Sequence, residues 1–383
     1  MKWLKFLFLS SFLVWGMLPI TLHAEMLAMV NYETKPEQVI RKEGIAIIDV
    51  DQDSENFGKI LMDIPLPYNL VNHHIYYNQD MSKVYVTALG SSTMHVIDMT
   101  RFPYRVKAVD IPNCKVLEDA TFTSDNKKWY LTCMGSQNII VGDAVTDMPI
   151  TSISLPEPYP HGISLQEDID RIIVTSTDPP DGNGQPGETV TVIEASSGKV
   201  LSSHKVSNKP SPSGAAPVEV GFIPHSNPPM AYIDTIYGGT LWLATWDPGK
   251  EEFDFQQTFD FASAGSGIPL NISFSEKGDL LYVTTGIPGH LNIFDISEDP
   301  RNPKLIKSIK TAEGAHHVVF SPDKRYAYVQ NNLLNLPGLS DGSISVVDLE
   351  KGETIASIDT FKNQGLNPNC IIFLPEWGTG HGH

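Results

Sequence analysis

The sequence predicts an all-β protein, a seven-bladed β-propeller built from four-stranded antiparallel blades. Two observations carry this prediction. A strand–turn–strand pattern recurs along the chain at intervals of 43 to 57 residues, which is the size of a four-stranded propeller blade. The two ends of the chain also supply complementary parts of one further blade.

The repeat is clearest in the stretch AHHVVFSPDKRYAYV, residues Ala315 to Val329. An apolar strand leads into a Ser-Pro-Asp turn and then into a second strand of alternating character. Related copies occupy Asn72–Val86, Glu118–Leu131, Pro160–Val174, Pro217–Ile233 and Pro269–Val283. Most copies continue into a strand that ends near an acidic residue, such as HVIDM (His95–Met99), and then into an outer strand. Each unit therefore contains four predicted strands.

The termini hold the remaining blade in two pieces. NCIIFLPE (Asn369–Glu376) has the pattern of an inner strand without partners. Three strands without an inner one are predicted at Met26–Glu33, Gly44–Val50 and Lys59–Leu66. Because a ring is stable only when its sheet edges are paired, we expect a clasp in which the C-terminal strand joins the N-terminal strands.

The first 24 residues have the pattern of a secretory signal peptide. Lys2 and Lys5 precede an apolar run, Phe6–Ile20, and Leu-His-Ala precedes Glu25. An uncleaved membrane anchor is the alternative, although the apolar run is short for a membrane span. We expect a signal peptide at 1–24, a single propeller at 25–376, a flexible tail at 377–383, and a periplasmic or secreted protein without a membrane span after cleavage.

The charge balance excludes several classes of partner. The chain has a formal net charge of −18 at pH 7, and such a surface repels nucleic acid and anionic lipid. A small-molecule substrate or a protein of the cell envelope remains as the expected partner. The sequence does not determine the oligomeric state.

The three cysteines, Cys114, Cys133 and Cys370, cannot all pair with one another. One bridge between Cys114 and Cys133 is compatible with their places beside and at the end of neighbouring strands, but the spacing does not require it. The chain has no CxxC and no zinc-finger spacing, so cysteine alone indicates no cofactor.

The candidate site lies at the beginnings of the predicted inner strands, which converge on one mouth of the central channel. Five of the twelve histidines occupy these positions: His73, His74, His161, His316 and His317. Imidazole binds copper, zinc, iron and nickel, and sulfur from Cys133 or Met134 in nearby hairpins would favour copper. The predicted metal ligands are therefore these five histidines, and the predicted cofactor is copper, with other transition metals as alternatives.

Acidic side chains occupy the same positions in two further repeats. Glu118, Asp119 and Glu219 are the candidate proton acceptors, and Glu118 or Asp119 could instead orient the rings or bind the metal directly. The alternative is purely structural: each histidine could hydrogen-bond the backbone of a neighbouring blade, and each carboxylate could be a solvated rim charge.

Two stretches carry a resemblance to known propellers. VYVTALGSSTMHVIDM (Val84–Met99) and LYVTTGIPGHLNIFDI (Leu281–Ile296) resemble the YVTN-type seven-bladed family, which implies the fold but no particular activity. FDISEDPRNPKLI (Phe294–Ile306) and the segment Phe222–Asp247 are similar to the selenium-binding protein and methanethiol oxidase family. That likeness implies copper and the oxidation of a small thiol.

A third likeness concerns the histidines themselves. PHGISL (Pro160–Leu165) and GAHHVVFSP (Gly314–Pro322) are similar to inner strands of nitrous oxide reductase and thiocyanate dehydrogenase. This resemblance implies that the five histidines bind copper. The chain lacks the cupredoxin domain of the first enzyme and has fewer channel histidines than a full cluster needs, so one or two ions are expected.

The sequence thus predicts an exported propeller with a histidine-lined copper site, acting as an oxidoreductase on a small sulfur or nitrogen compound in the manner of methanethiol oxidase. The alternative is a non-catalytic YVTN-type propeller that binds a protein, peptide or glycan in the cell envelope.

Overall fold

The computed structural model describes residues 26–68 and 70–376. These residues form twenty-eight strands in seven four-stranded antiparallel sheets, with two 3-10 segments (Glu167–Ile169 and Phe261–Ala264) and one short helix, α1 (Thr360–Asn363). The predicted all-β, seven-bladed propeller is confirmed. The predicted signal peptide (1–24) and tail (377–383) lie outside the described residues. No helix in the described ranges has the length and apolar character needed to span a membrane.

The strands follow one another blade by blade. The chain begins with β1 (Leu27–Thr34), β2 (Glu43–Asp49) and β3 (Ile60–Leu66). Blade 1 contains β4 (Asn72–Tyr77), β5 (Lys83–Ala88), β6 (Thr93–Asp98) and β7 (Arg105–Asp110). Blade 2 contains β8 (Leu117–Phe122), β9 (Lys128–Cys133), β10 (Asn138–Asp143) and β11 (Pro149–Ser154). Blade 3 contains β12 (Pro160–Gln166), β13 (Arg171–Ser176), β14 (Thr189–Glu194) and β15 (Lys199–Lys205).

The remaining blades complete the set. Blade 4 contains β16 (Pro217–Phe222), β17 (Met230–Thr235), β18 (Thr240–Asp247) and β19 (Glu252–Asp260). Blade 5 contains β20 (Pro269–Phe274), β21 (Leu280–Gly286), β22 (Gly289–Asp295) and β23 (Lys304–Lys310). Blade 6 contains β24 (Ala315–Phe320), β25 (Tyr326–Asn331), β26 (Ile344–Asp348) and β27 (Glu353–Ile358), and blade 7 combines β28 (Leu366–Phe373) with β1, β2 and β3.

The seven inner strands are β4, β8, β12, β16, β20, β24 and β28, and each contacts the inner strand of the next blade. The outer strands are different in character. In β23, for example, exposed residues alternate with buried or partly buried ones, and the exposed set includes Lys304 at one end and Lys310 at the other. That alternation is expected for a strand with one face on the core and one in water, and the lysines discourage pairing with another molecule. Large side chains such as Trp129 and Tyr85 fill the interfaces between blades.

Every inner strand is irregular near its start. The pairing of the first and second strands shifts register between Asn72 and Ile75 in blade 1 and between Leu117 and Ala120 in blade 2. The same shift occurs in blades 3, 4, 5 and 6, and in blade 7 it leaves Asn369 as the extra residue. A bulge of this kind frees residues from the ladder and redirects their side chains. The freed residues include all the candidate site residues.

Side chains of the second strands replace the lost ladder bonds. Thr132 Oγ1 accepts a hydrogen bond from the N–H of Asp119 (3.0 Å) and donates to the carbonyl of His161 in the next blade (2.7 Å). Asn31 likewise accepts from the N–H of Cys370 (2.6 Å) and donates to the carbonyl of His73 (3.0 Å). Each of these side chains accepts a hydrogen bond from a backbone N–H in the bulge of its own blade and donates one to a carbonyl in the bulge of the next blade. Hydrogen bonds therefore link the bulges that carry the site residues.

The residue before each inner strand has a left-handed backbone. Five of the seven are not glycine: Val71, Val116, Tyr159, Ala216 and Ile268, with φ between 51° and 60°. The other two are Gly314 and Gly365. The left-handed conformation costs roughly 1–2 kcal/mol for a residue with a Cβ. A β-branched residue is crowded further in this conformation. Such strain is tolerated where the surrounding structure imposes it, and here it recurs at the starts of the inner strands.

A disulfide joins Cys114, just before β8, to Cys133 at the end of β9, with the Cα atoms 5.1 Å apart. Cys370 is a buried free thiol. The bridge ties the approach to the second inner strand to its partner, and it takes Cys133 out of the set of sulfur donors.

Candidate metal centre

Three bulges place four polar side chains around one buried point. His73 and His74 come from blade 1, Glu118 from blade 2 and His161 from blade 3, and one potential ligand atom from each lies within 4.8 Å of the others. Their exposed fractions are at most 7%. Gly162 permits this approach, because a Cβ there would lie 2.4 Å from the carbonyl oxygen of Val218 on blade 4.

One oxygen of Glu118 is the centre of this group. Its Oε1 lies 2.9 Å from Nε2 of His73, 3.3 Å from Nε2 of His74 and 2.8 Å from Nε2 of His161. Burial opposes ionisation of Glu118, but attraction to His73 and His161 outweighs it and holds the pKa of this carboxyl well below its usual range. Glu118 is therefore a carboxylate in a dry environment, compensated by imidazoles.

The pKa of His161 is shifted in the opposite direction to that of Glu118. Burial lowers its pKa, but Glu118 and the more distant Glu219 raise it to about 9. Glu219 Oε1 is 3.8 Å from Nδ1 of His161, and burial together with Asp119 raises the pKa of Glu219 well above its ordinary value. Without a bound cation, a proton on His161 offsets the Glu118 charge, and a metal ion would take over that role.

A tyrosine links His74 to Asp119. The Tyr76 hydroxyl donates to Asp119 Oδ1 (2.6 Å) and also contacts Nδ1 of His74. When Tyr76 donates to Asp119, His74 must carry its proton on Nδ1, which leaves the Nε2 lone pair directed at the central group. Burial and Asp119 raise the Tyr76 pKa far above 10, so the hydroxyl keeps its proton. A carboxylate behind a metal-binding histidine commonly fixes the tautomer in this way.

His316 and His317 of blade 6 complete a cluster of five imidazoles. The ring of His317 lies 4.8 Å from that of His74, and the ring of His316 lies 5.9 Å from that of His73. The structure thus brings all five predicted ligands together. The blade 6 pair stands beside the His73, His74, Glu118 and His161 group rather than inside it, and metal binding by any of the five stays a prediction.

The donor chemistry of the central group suits a transition metal. Three imidazoles and a carboxylate are donors for zinc, copper and iron. Bonds of about 2.0–2.1 Å in a tetrahedral ion place donor atoms roughly 3.3 Å apart, so the observed spacing of up to 4.8 Å requires a small closing movement. The described residues show no thiolate donor in this group, because Cys133 is in the disulfide. The expected sulfur contribution from Cys133 was wrong.

The site is also more enclosed than the sequence indicated. Glu118 and Glu219 are 1% and 3% exposed, so neither is a solvated rim charge at an open mouth. The reason is the bulge, which turns these side chains inward from the strand ends, where neighbouring blades cover them.

Several solved structures share this architecture. A hypothetical selenium-binding protein from Sulfolobus tokodaii has a TM-score of 0.75 at 15% sequence identity, covering 93% of this chain and 95% of that one. A functionally unknown protein from Desulfotomaculum acetoxidans has a TM-score of 0.64 at 16% identity, covering 86% and 96%. A putative 6-phosphogluconolactonase from Bacteroides uniformis has a TM-score of 0.63 at 12% identity, covering 91% and 99%.

These likenesses establish a shared propeller fold. No protein-family model matches the sequence, and no curated protein sequence matches it. The YVTN-type assignment therefore stays a resemblance, and the chemistry has to be argued from the residues of this propeller.

Two functional candidates were not expected from the sequence. Tyr76 follows His74 by two residues on the same strand, and strand alternation alone would have placed both on one face. Asp234 is a charged residue within the apolar strand MAYIDT, and its Oδ1 accepts from the N–H of Glu219 (2.9 Å). Burial raises the Asp234 pKa to about 7. An acidic residue inside an otherwise apolar strand was the available signal.

Proposed function

We propose that this propeller is an exported metalloprotein whose His73, His74, Glu118 and His161 group binds a transition metal, copper first, and that it oxidises a small sulfur or nitrogen compound. One observation supports the proposal above the others: donors from three separate blades converge in a buried site on one carboxylate oxygen. A copper ion bound there would supply redox and Lewis-acid chemistry.

The residues around the group have distinct roles in this proposal. His73, His74 and His161 hold the ion, and Glu118 balances its charge within the dry site. Tyr76 and Asp119 keep His74 in one tautomer, so that Nε2 faces the ion. Glu219 stands beside His161 and takes or returns a proton. The similarity to a hypothetical selenium-binding protein from Sulfolobus tokodaii is compatible with a soft-donor substrate such as a thiol.

Copper uptake by a chain that ends at Glu376 tests the proposal. This chain lacks His381 and His383, which would bind metal without reporting on the site. We expect one or two equivalents of copper per chain after dialysis, and a melting temperature that rises with copper. Saturation at one hundred times the dissociation constant is worth about 2.7 kcal/mol.

Variants assign the uptake to the site. H161Q and H73A should lose it, whereas H204A, on the outer strand β15, should bind as the parent does. Circular dichroism checks that each variant is folded. Copper uptake by H161Q and H73A equal to that of H204A would refute the metal centre and favour a non-catalytic, partner-binding propeller.

A further inference from the structure

A cavity of about 150 Å³ lies along the channel next to the metal centre. An engineered cavity of roughly this volume holds a benzene-sized molecule. Asp119, Glu219 and Tyr76 line it, and so do Phe122, Phe222 and Phe274. The carboxylates stand three residues before the phenylalanines on β8 and β16, which corresponds to about 10 Å along a strand. The cavity therefore has an acidic end and an aromatic end.

The two carboxylates are not equivalent. Asp119 is fully engaged, because Oδ1 accepts from Tyr76 and from the N–H of Ala120 (2.6 Å), and Oδ2 accepts from the N–H of Ile163 (2.8 Å). Glu219 is 3% exposed, and its Oε1 has no hydrogen-bond partner among the described residues. A buried acceptor without a donor is destabilising, and a ligand N–H would supply the missing hydrogen bond.

The lining of the cavity restricts the charge of such a ligand. Within the described part of the chain, no lysine or arginine is among the lining residues. An anion would meet two acidic side chains and no cationic side chain among these lining residues, so its binding is disfavoured. A neutral alcohol or thiol offers a single O–H or S–H donor and no charge. An organic cation gains from the carboxyl group at one end, and its carbon chain gains from burial against the aromatic rings at the other.

We propose that this cavity binds a small organic amine, with its nitrogen at Glu219 Oε1 and its carbon chain against Phe222 and Phe274. The N–H groups of the ammonium ion donate to the carboxyl oxygen that lacks a donor, and its positive charge pairs with the carboxylate. This inference rests on the proposed function in one respect: of the sulfur and nitrogen compounds proposed there as substrates, it selects the nitrogen compounds. Amine binding itself needs no metal.

The test uses metal-free protein and isothermal titration with n-propylammonium, n-propanol and propionate, which have similar chain lengths. We expect propylammonium to bind at least tenfold more tightly than propanol, with no binding of propionate. Equal binding of propanol, binding of propionate, or no binding of propylammonium at millimolar concentration each overturns the proposal.

Variants locate the amine in the cavity. E219Q keeps the side-chain shape but removes the ion pair, and it should weaken propylammonium at least tenfold. F222L should weaken it several-fold, whereas F255L, on the outer strand β19 of the same blade, should not. Unchanged binding by E219Q, or equal losses in F222L and F255L, would reject the site.

H73A separates this inference from the metal centre, because His73 is not among the cavity-lining residues. We expect H73A to lose copper and to keep the parental affinity for propylammonium. Loss of amine binding in a folded H73A would place the amine on the histidine cluster and overturn the cavity assignment. Amine binding in a parent that takes up no copper would support the cavity while refuting the metal proposal.

Discussion

Buried carboxylates in this propeller differ in charge state according to what faces them. Glu118 faces three imidazoles and stays ionised, whereas Glu33 faces Glu43, its cross-strand neighbour. Burial and the proximity of Glu43 raise the pKa of Glu33 from 4.5 to about 7. The nearest guanidinium, that of Arg41, is 4.0 Å away and offsets this only in part. The same residue type thus has opposite shifts at two places in one fold.

Glu33 makes stability depend on pH. Between about pH 4.5 and 7 the folded Glu33 holds a proton that the unfolded chain has released, so the free energy of unfolding falls as pH rises through this window. E33Q stays neutral and should lack this loss. One pKa unit corresponds to about 1.4 kcal/mol, so we expect E33Q to gain about 1–3 kcal/mol over the parent between pH 5 and pH 8.

Urea unfolding at both pH values measures this difference. E353Q, on the exposed outer strand β27, is the matched control and should follow the parent at both. If the free energies of unfolding of E33Q and the parent differ by the same amount at pH 5 and at pH 8, Glu33 is not protonated in the folded protein.

At the scale of the strand, the bulges convert a regular repeat into a site. They occur in every blade, but only blades 1, 2, 3, 4 and 6 place titratable side chains on them. The second-strand side chains that bridge neighbouring bulges are mostly threonine, asparagine and glutamine, which have both a donor and an acceptor. Their geometry should therefore control the site as well as stability.

Thr132 tests this role. T132V keeps the shape but leaves the N–H of Asp119 and the carbonyl of His161 without their partner. We expect a loss of about 2–3 kcal/mol in the free energy of unfolding and weaker copper binding. T132S retains the hydroxyl and should recover most of both quantities. A stable T132V with parental copper affinity would show that the bridge does not position His161.

At the scale of the whole molecule, the sequence was informative where the repeat itself carried the signal. Alignment on the turn identified the inner strands and their first residues, and therefore the five histidines. It could not reveal the bulges, because they depend on pairing between strands. The last strand begins at Leu366 rather than at Asn369, since Pro368 is accommodated by a register shift opposite Tyr32. Burial of Glu118 and Glu219 likewise follows from neighbouring blades and not from local sequence.

The last strand, β28, pairs with the first strand, β1. This pairing places the first and last strands of the described residues side by side, with Leu374 N–H donating to the carbonyl of Leu27 (3.0 Å). That this pairing holds the ring closed stays a prediction. A chain that stops at Gly365 would leave β1 as an unpaired, buried edge, and we expect it to aggregate, whereas the chain that ends at Glu376 should remain monodisperse.

A circular permutant separates the role of the pairing from the role of mere chain length. A short Gly/Ser linker joins Glu376 to Met26, and new termini open the exposed loop between Gly182 and Asn183. Because β28 and β1 then form a covalent hairpin, we expect the permutant to melt at or above the parental temperature and to bind copper equally. If the pairing closes the ring, only the chain that stops at Gly365 should elute as aggregate in size-exclusion chromatography. A chain that stops at Gly365 and nevertheless remains monodisperse and binds copper as the parent does would show that the β28–β1 pairing is not needed to close the ring.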